Sequence, residues 1–415
     1  MPVPARDALQ ASHALHLRIE AEIARSGGWI DFARYMQLAL YEPGLGYYSG
    51  GAQKFGRAGD FVTAPLLGPL FAQTLAREVA GLMRGNADSD APADTSSAAP
   101  AMVPVVTRSV APPVTPPVAP RILEFGAGSG ELAGELLAEL ARLGIRLEQY
   151  AIVEPSAGLV ERQRASIARL APESLSRVAW LDRLPAGFCG LMLANEVLDA
   201  MPVHLAGWRE EGIVERGVAL ENGRLAWSER AASGEVLALA QEVARSAGIQ
   251  PPYMSELAPA ARGWIAALAE SLHEGVLLVI DYGFAEREFF HPQRSSGTLM
   301  CHYRHHAHAD PFLYPGLQDI TAHVDFSALA RAGRAAGLAV LGYATQANFL
   351  VNCGIMEVLC RTDPADAARY APLAAGAQTL LSPAEMGELF KVLALGRGST
   401  RRPAGFRRGD RSHTL

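Results

Sequence analysis

Three glycines set directly after an apolar run are the first residues in this chain whose spacing implies chemistry. In RILEFGAGSGEL, residues 121–132, Arg121 to Phe125 reads as a strand, Gly126, Gly128 and Gly130 as a turn, and Glu131 onward as a helix. Glycines there let a ligand approach the backbone without interference from a Cβ. A dinucleotide-binding turn needs a small residue where Glu131 stands, so a nicotinamide oxidoreductase is disfavoured. Carboxylates recur at the ends of the neighbouring strand-like runs. Glu124 precedes the glycines, Glu154 ends YAIVE and Asp182 follows the run ending at Leu181. A carboxylate can neutralise an ammonium group, accept both hydroxyls of a ribose, or accept from the exocyclic amine of adenine. Three consecutive strand ends would then line one crevice, where open α/β sheets bind their ligands.

The spacing acidic-x-Gly-x-Gly-x-Gly is that of the S-adenosylmethionine turn in class I methyltransferases, with Glu124 facing the cofactor's ammonium, Glu154 the ribose and Asp182 the adenine. The next strand runs into LMLANEVLDAMP, residues 191–202, whose end belongs beside the methyl-bearing sulfonium. Asn195, Glu196 and Asp199 are the polar groups clustered there. Methyl transfer is an in-line displacement that asks the protein to align a nucleophile, exclude water and accept a proton. A guanidine acceptor would use Glu196 and Asp199 as a bidentate pair, and an amide or amine would use Asn195 more. Helix capping is the alternative reading of Asn195 and Asp199. Strand five delivers Asp281 and Tyr282 to the crevice edge. No metal site is expected: His302, His305, His306 and His308 crowd one segment without a cysteine pair or a spaced helical partner, and a loop over the acceptor pocket or a solvent-facing run explains them.

These residues need a sheet to hold them. Strands are expected at 121–125, 150–153, 177–181, 190–194, 275–280 and 390–395, with helices at 131–143 and 158–170, which makes an α/β Rossmann-like sheet with helices on both faces. Asn222-Gly223 marks a hairpin in an insertion at about 203–262, and a second, loop-rich insertion spans about 297–334. Residues 1–85 read as an N-terminal helical extension, with Phe32, Tyr35, Met36 and Leu40 at helical spacing. Residues 86–120, rich in Pro and Ala without an aromatic, read as a disordered linker, and 399–415 as a disordered basic tail.

A chain of 415 residues with 49% hydrophobic and 19% charged residues is neither disordered nor collagenous. Its net charge of -6 repels a nucleic-acid backbone, which argues against a nucleic-acid substrate. Four separated cysteines, no run long enough to span a membrane and no signal-like start give the expectation of a cytoplasmic protein.

Blocks outside the cofactor turn, together with the turn itself, carry a family likeness. MQLALYEPGLGYY (36–48), GDFVTAP (59–65), LEFGAGSG, NEVLDAMPVH (195–204) and QDITAHVDF (318–326), in this order, closely resemble the MidA-like proteins, bacterial and mitochondrial relatives of the methyltransferase that assists assembly of respiratory complex I. The resemblance covers about Gly28 to Arg397. It implies a class I fold, S-adenosyl-L-methionine dependence, contacts to the cofactor from Gly59, Asp60, Phe61 and Thr63, and arginine methylation of a protein substrate, a respiratory-complex subunit. The competing implication is a non-catalytic assembly factor that keeps the cofactor fold. Oligomeric state is left open.

Overall fold

The computed structural model describes residues 1–50, 63–84, 118–398 and 402–415. The N-terminal block contains α1 (Arg6–Arg25), the short strand β1 (Ile30–Asp31), α2 (Phe32–Tyr41) and α3 (Leu70–Arg84). Asp31 starts α2 by accepting the Arg34 N–H at 2.7 Å, a side-chain N-cap. Next come β2 (Arg121–Phe125), α4 (Glu131–Arg142), β3 (Gln149–Val153), α5 (Ala157–Leu170), β4 (Val178–Leu181) and β5 (Phe188–Asn195). The first insertion supplies β6 (His204–Arg209), β7 (Gly212–Glu221), β8 (Arg224–Ala231), α6 (Gly234–Ala247) and β9 (Tyr253–Leu257). The chain returns through α7 (Pro259–Ser271), β10 (Leu272–Phe284) and α8 (Glu286–Phe289). The second insertion holds β11 (Met300–Tyr303), β12 (His306–His308), β13 (Asp319–Thr321) and β14 (Val324–Asp325). Then follow α9 (Phe326–Ala335), β15 (Ala339–Thr345), α10 (Gln346–Asn352), α11 (Ile355–Leu359), α12 (Ala367–Leu381), α13 (Met386–Leu389) and β16 (Phe390–Arg397).

The main sheet runs β15-β16-β10-β5-β2-β3-β4, with β14 joined to β10. β10, β5, β2, β3 and β4 are mutually parallel, and β16 lies antiparallel between β10 and β15. Strand order reverses between β2 and β5, and that switch point opens the crevice. The central strands are apolar on both faces because both faces are covered. Ile122, Ile152, Leu193 and Leu278 pack toward α3, α4 and α5, while Leu123, Ala151, Met192 and Leu277 pack toward α7 and α9. All six expected strands are present. The sequence reading lacked β14 and β15, the first because it is two residues long and the second because Gly342 interrupts its apolar alternation.

The first insertion forms an antiparallel sheet with β1 of the N-terminal block, in the order β1-β7-β6-β9 with β8 on β7. Its hairpin turns at Asn222 (φ 52°) and Gly223 (φ 74°), both left-handed as a two-residue type I′ connection requires. The N-terminal extension is divided between two cores. α1 and α2 bury Leu15, Ile19, Phe32 and Tyr35 against Leu205, Val218 and Ile320 of the insertions, whereas α3 joins the main core beside α4. The linker expected at 86–120 lies outside the described residues except for its last three; there Val118 is buried and its N–H donates to the Leu82 carbonyl at 3.0 Å. Among the described residues no helix is long and apolar enough to cross a membrane.

Residues 402–415 are ordered, contrary to the expectation of a disordered tail at 399–415; 399–401 lie outside the described residues. Phe406 is completely buried, its ring 5.4 Å from that of Phe349, and Gly342 leaves the room it occupies. Asp410 accepts the Tyr343 N–H at 2.9 Å, the Tyr343 carbonyl accepts from Arg411 N–H at 2.6 Å, and Glu78 of α3 accepts from the N–H groups of Ala404 and Gly405. β15 is the sheet edge, and its free backbone groups offer the tail a row of partners that counting charges does not reveal. Burial opposes the charge on Asp410. Hydrogen bonds from Tyr343 and Ser412, with Arg402 nearby, outweigh it and hold the carboxyl below its ordinary value. A carboxylate lowered on folding stabilises above its unfolded pKa and loses that contribution as pH falls through the folded one. Asp410→Ala is therefore expected to cost about 1–2 kcal/mol at neutral pH, with the deficit shrinking in acid; denaturant melts at several pH values check it.

Candidate active site

A cavity of about 720 Å³ lies at the carboxyl ends of β2, β3 and β5. The glycine turn forms its floor. Gly126 and Gly128 line it, and Gly128, at φ 52°, leaves open space where a side chain would project. Gly130 is a packing glycine instead: a Cβ there would stand 2.7 Å from the Cα of Gln163 on α5. The N-terminal block closes the other side with Tyr41, Tyr48 and Thr63.

Glu124 lines the cavity and is 1% exposed; its Oε2 accepts from the Tyr150 hydroxyl at 2.8 Å. Burial pushes its carboxyl up to about 7, against the pull of that hydrogen bond. Glu154 lines the wall opposite, accepting from the Ser156 N–H at 2.9 Å and Gln163 Nε2 at 3.0 Å, and burial raises its pKa. Asp182 is not there. Its side chain is 85% exposed, 3.6 Å from Arg183, and does not line the cavity, because the chain turns outward after the edge strand β4. Gly59, Asp60 and Phe61 lie outside the described residues.

Asn195, Glu196 and Asp199 all line the cavity on the turn after β5. Glu196 adopts φ 53°, a left-handed conformation that costs a non-glycine residue on the order of 1–3 kcal/mol and is held by its surroundings. Its Oε1 accepts from Asn195 Nδ2 at 3.1 Å and the Ala64 N–H at 3.3 Å. Burial, then the charge of Asp199, push Glu196 up to about 8. Asp199 is also raised by burial, while Tyr282 donates to its Oδ2 at 2.7 Å. No helix follows this turn, so neither Asn195 nor Asp199 is a helix cap. Asn195 Oδ1 and Asp199 Oδ1 are buried and have no hydrogen-bond partner among the described residues.

Asp281 and Tyr282 stand one layer behind the crevice edge expected for them. Asp281 Oδ2 accepts from the N–H groups of Val197, Leu198 and Asp199 at 3.1, 2.9 and 3.3 Å, which fixes the turn, and Tyr282 orients Asp199. The helical spacing of the aromatic N-terminal stretch is explained equally by core packing and by ligand stacking, and it does not single out Tyr41 and Tyr48, which line the cavity. Their rings stack 5.5 Å apart; the Tyr41 hydroxyl donates to the Ala200 carbonyl and the Tyr48 hydroxyl to Asp319 of β13. The helical spacing that buries Tyr35 runs out at Tyr41, the last residue of α2, and that is the signal available in the sequence. His302, His305, His306 and His308 lie on and around the β11–β12 hairpin, and none lines the cavity.

Four carboxylates, Glu124, Glu154, Glu196 and Asp199, thus face one cavity, and among the described residues no basic side chain lines it. Such a cavity favours a cation. A model of a family of S-adenosyl-L-methionine-dependent methyltransferases matches residues 110–344. A crystal structure of a Burkholderia thailandensis protein bound to S-adenosyl-homocysteine is 48% identical and covers 100% of both chains at a TM-score of 0.89. A native crystal structure from the same organism gives 47% identity, 100% coverage of both chains and a TM-score of 0.86. Among curated proteins, the mitochondrial protein arginine methyltransferase NDUFAF7 of Mus musculus is 32% identical over 231 residues, 52% of this chain and 49% of that protein. Its Homo sapiens counterpart is 30% identical over 231 residues, 52% of this chain and 48% of that one. The chain spans about half the length of the curated relatives it matches. It belongs to the MidA-like family of class I S-adenosyl-L-methionine-dependent methyltransferases.

Proposed function

We propose that this methyltransferase acts on the guanidinium group of an arginine in a protein, with a respiratory-complex subunit as the client class that the family resemblance implies. The observation that carries the reading is the cavity with four carboxylates and, among the described residues, no basic side chain, which suits a cationic cofactor and a cationic acceptor together. The arginine-specific name of the NDUFAF7 relatives supports the same choice. The residues present fit the cofactor. Glu124 pairs with its ammonium, Gly126 and Gly128 admit its amino-acid end, Glu154 takes the ribose hydroxyls, and Thr63 closes the site from the N-terminal side. Asp182, exposed and outside the cavity, is left without a role at the adenine.

When bound, S-adenosyl-L-methionine supplies an electrophilic methyl carbon on a cationic sulfur. The turn after β5 does the rest. Glu196 and Asp199 present paired carboxylate oxygens to the planar donor fork of a guanidinium, and Asn195 Oδ1 offers a further acceptor. Asp199 Oδ1, without a partner, receives the proton released by the guanidinium nitrogen as that nitrogen gains the methyl group. Tyr282 keeps the other oxygen of Asp199 in place, and the stacked Tyr41 and Tyr48 give the cation an aromatic wall.

The test is transfer of an isotopically labelled methyl group from S-adenosyl-L-methionine to protein extracted from cells lacking this chain, followed by mass spectrometry of the labelled peptides. Label on arginine supports the reading; label on lysine, glutamine or nucleic acid overturns it, as does cofactor binding without any transfer. The raised Glu196 adds a pH signature. Its ionised form holds the cation, so activity is present above its pKa and is lost as pH falls. kcat/KM is expected to rise with pH up to about 8. The limb in kcat lies lower, because a bound guanidinium favours the carboxylate. Glu196→Gln moves both limbs down to the lower one that Asp199, raised to about 6, still sets, and an unaltered profile in that variant removes Glu196 from the acceptor site.

A further inference from the structure

α5 packs beside the cofactor turn, and its residues Glu161, Arg162, Arg164 and Ala165 face solvent. Gln163, among them, is 0% exposed. A buried primary amide is tolerated only when its donors and acceptor are matched. Here they are: Nε2 donates to the Gly128 carbonyl at 3.2 Å and to Glu154 Oε2 at 3.0 Å, while Oε1 accepts from Trp180 Nε1 at 2.9 Å. The orientation is forced. Turned over, the amide would set oxygen against a carbonyl and a carboxylate, and NH₂ against an indole N–H.

The three partners come from three different places: the glycine turn after β2, the carboxylate after β3 and the edge strand β4. Two contacts keep the amide where it is. Gly130 lets the α5 backbone approach to a distance that any Cβ would forbid, and Arg164 covers the indole of Trp180 at 4.3 Å. With the Ser156 N–H on Oε1 and Gln163 on Oε2, both oxygens of Glu154 are held from the protein side, leaving further lone pairs for a ligand. We propose that Gln163 is a positioning residue of the cofactor site, an internal strut that locks the glycine turn and the Glu154 carboxylate into one arrangement. The proposal rests on the reading of Glu154 as the ribose ligand.

A purely structural amide and a positioning amide differ in their effect on the charge of Glu154. The Ser156 N–H and the Gln163 amide are the two contacts that favour its ionised form against burial. The other titratable groups lining the cavity are the carboxylates Glu124, Glu196 and Asp199, which favour it no further, and the tyrosines Tyr41 and Tyr48. Removing the amide therefore moves the titration of Glu154 upward. The experiment is calorimetric titration of the full chain with S-adenosyl-homocysteine between about pH 5 and 8.5, with unfolding of each ligand-free variant followed in parallel.

Gln163→Leu is expected to weaken binding about tenfold near pH 7, and to shift the acid-side loss of affinity to higher pH. Gln163→Glu, which keeps the acceptor for Trp180 but puts a second carboxyl against Glu154, is expected to shift that loss further in the same direction, so the question is answered even if the leucine variant does not fold. In the Glu154→Gln background the pH shift disappears, because the group it reports is gone. Unchanged affinity in the Gln163 variants, or a loss of equal size at every pH, overturns the positioning role. Unchanged affinity in Glu154→Ala, by contrast, removes the ribose reading itself.

Discussion

Asp199→Asn is expected to lower kcat by about 10²–10⁴-fold while leaving the Kd for S-adenosyl-homocysteine within a factor of about three. Asn keeps the shape of Asp and can still accept the hydrogen bond from Tyr282, so the turn held by the three N–H groups on Asp281 stays in place. What disappears is the charge and the basic oxygen at Oδ1, the atom left without a partner in the part of the cavity proposed for the acceptor. A guanidinium nitrogen gains a methyl group only as it gives up a proton, and with an amide at position 199 the unpartnered carboxylate oxygen that takes it is gone, leaving only Glu196, whose Oε1 already accepts from Asn195 and the Ala64 N–H. Tyr282→Phe, which keeps the carboxylate but frees its other oxygen, is expected to fall between wild type and Asp199→Asn. Paired measurements of single-turnover rate and product affinity check both. If the Asn variant loses affinity for S-adenosyl-homocysteine and retains its rate, Asp199 belongs to the cofactor half of the cavity.

The part of the cavity proposed for the cofactor was readable in the chain because its parts are local. A strand, its glycine turn and the start of the helix it enters occupy twelve consecutive residues, and the carboxylate of Glu154 follows one βα unit later, so the rule that ligands bind at strand ends brought Glu124, Gly126, Gly128 and Glu154 to one cavity. The same rule failed for Asp182. It ends an edge strand whose residues are only half covered, and an aspartate there can leave for water instead of turning inward. Tyr41, Tyr48 and Asp319 meet across 271 residues of sequence, and no period or spacing encodes that meeting. The ordered C-terminal tail failed for a related reason: composition registered five arginines but not that one phenylalanine, Phe406, had a space waiting beside Gly342 and Phe349. Residues such as Asp281 and Gln163 are legible as polar positions inside otherwise ordinary elements, yet their partners are backbone groups and side chains that only the folded turn supplies.

Glu154→Ala is expected to weaken S-adenosyl-homocysteine binding by about 1.5–3 kcal/mol, roughly 10- to 150-fold, the loss associated with a charged hydrogen-bond partner. Two terms set the size. The variant removes the acceptor for a ribose diol, and it strands Gln163 Nε2 and the Ser156 N–H, which now donate to that carboxylate. The second term is also paid by the ligand-free protein, so it lowers stability more than affinity, and a fall in melting temperature without ligand is expected beside the loss of binding. Glu154→Gln separates the two: it keeps an acceptor near the ribose but loses the charge that shortens and strengthens such bonds, and is expected to recover part of the affinity. A nucleoside lacking the amino-acid end reports the same deficit as the full compound, since Glu124 and the glycine turn act on the other end. Equal affinities for Glu154→Ala and wild type would place the ribose elsewhere, and a deficit seen with the full compound but absent with the nucleoside would assign Glu154 to the amino-acid end.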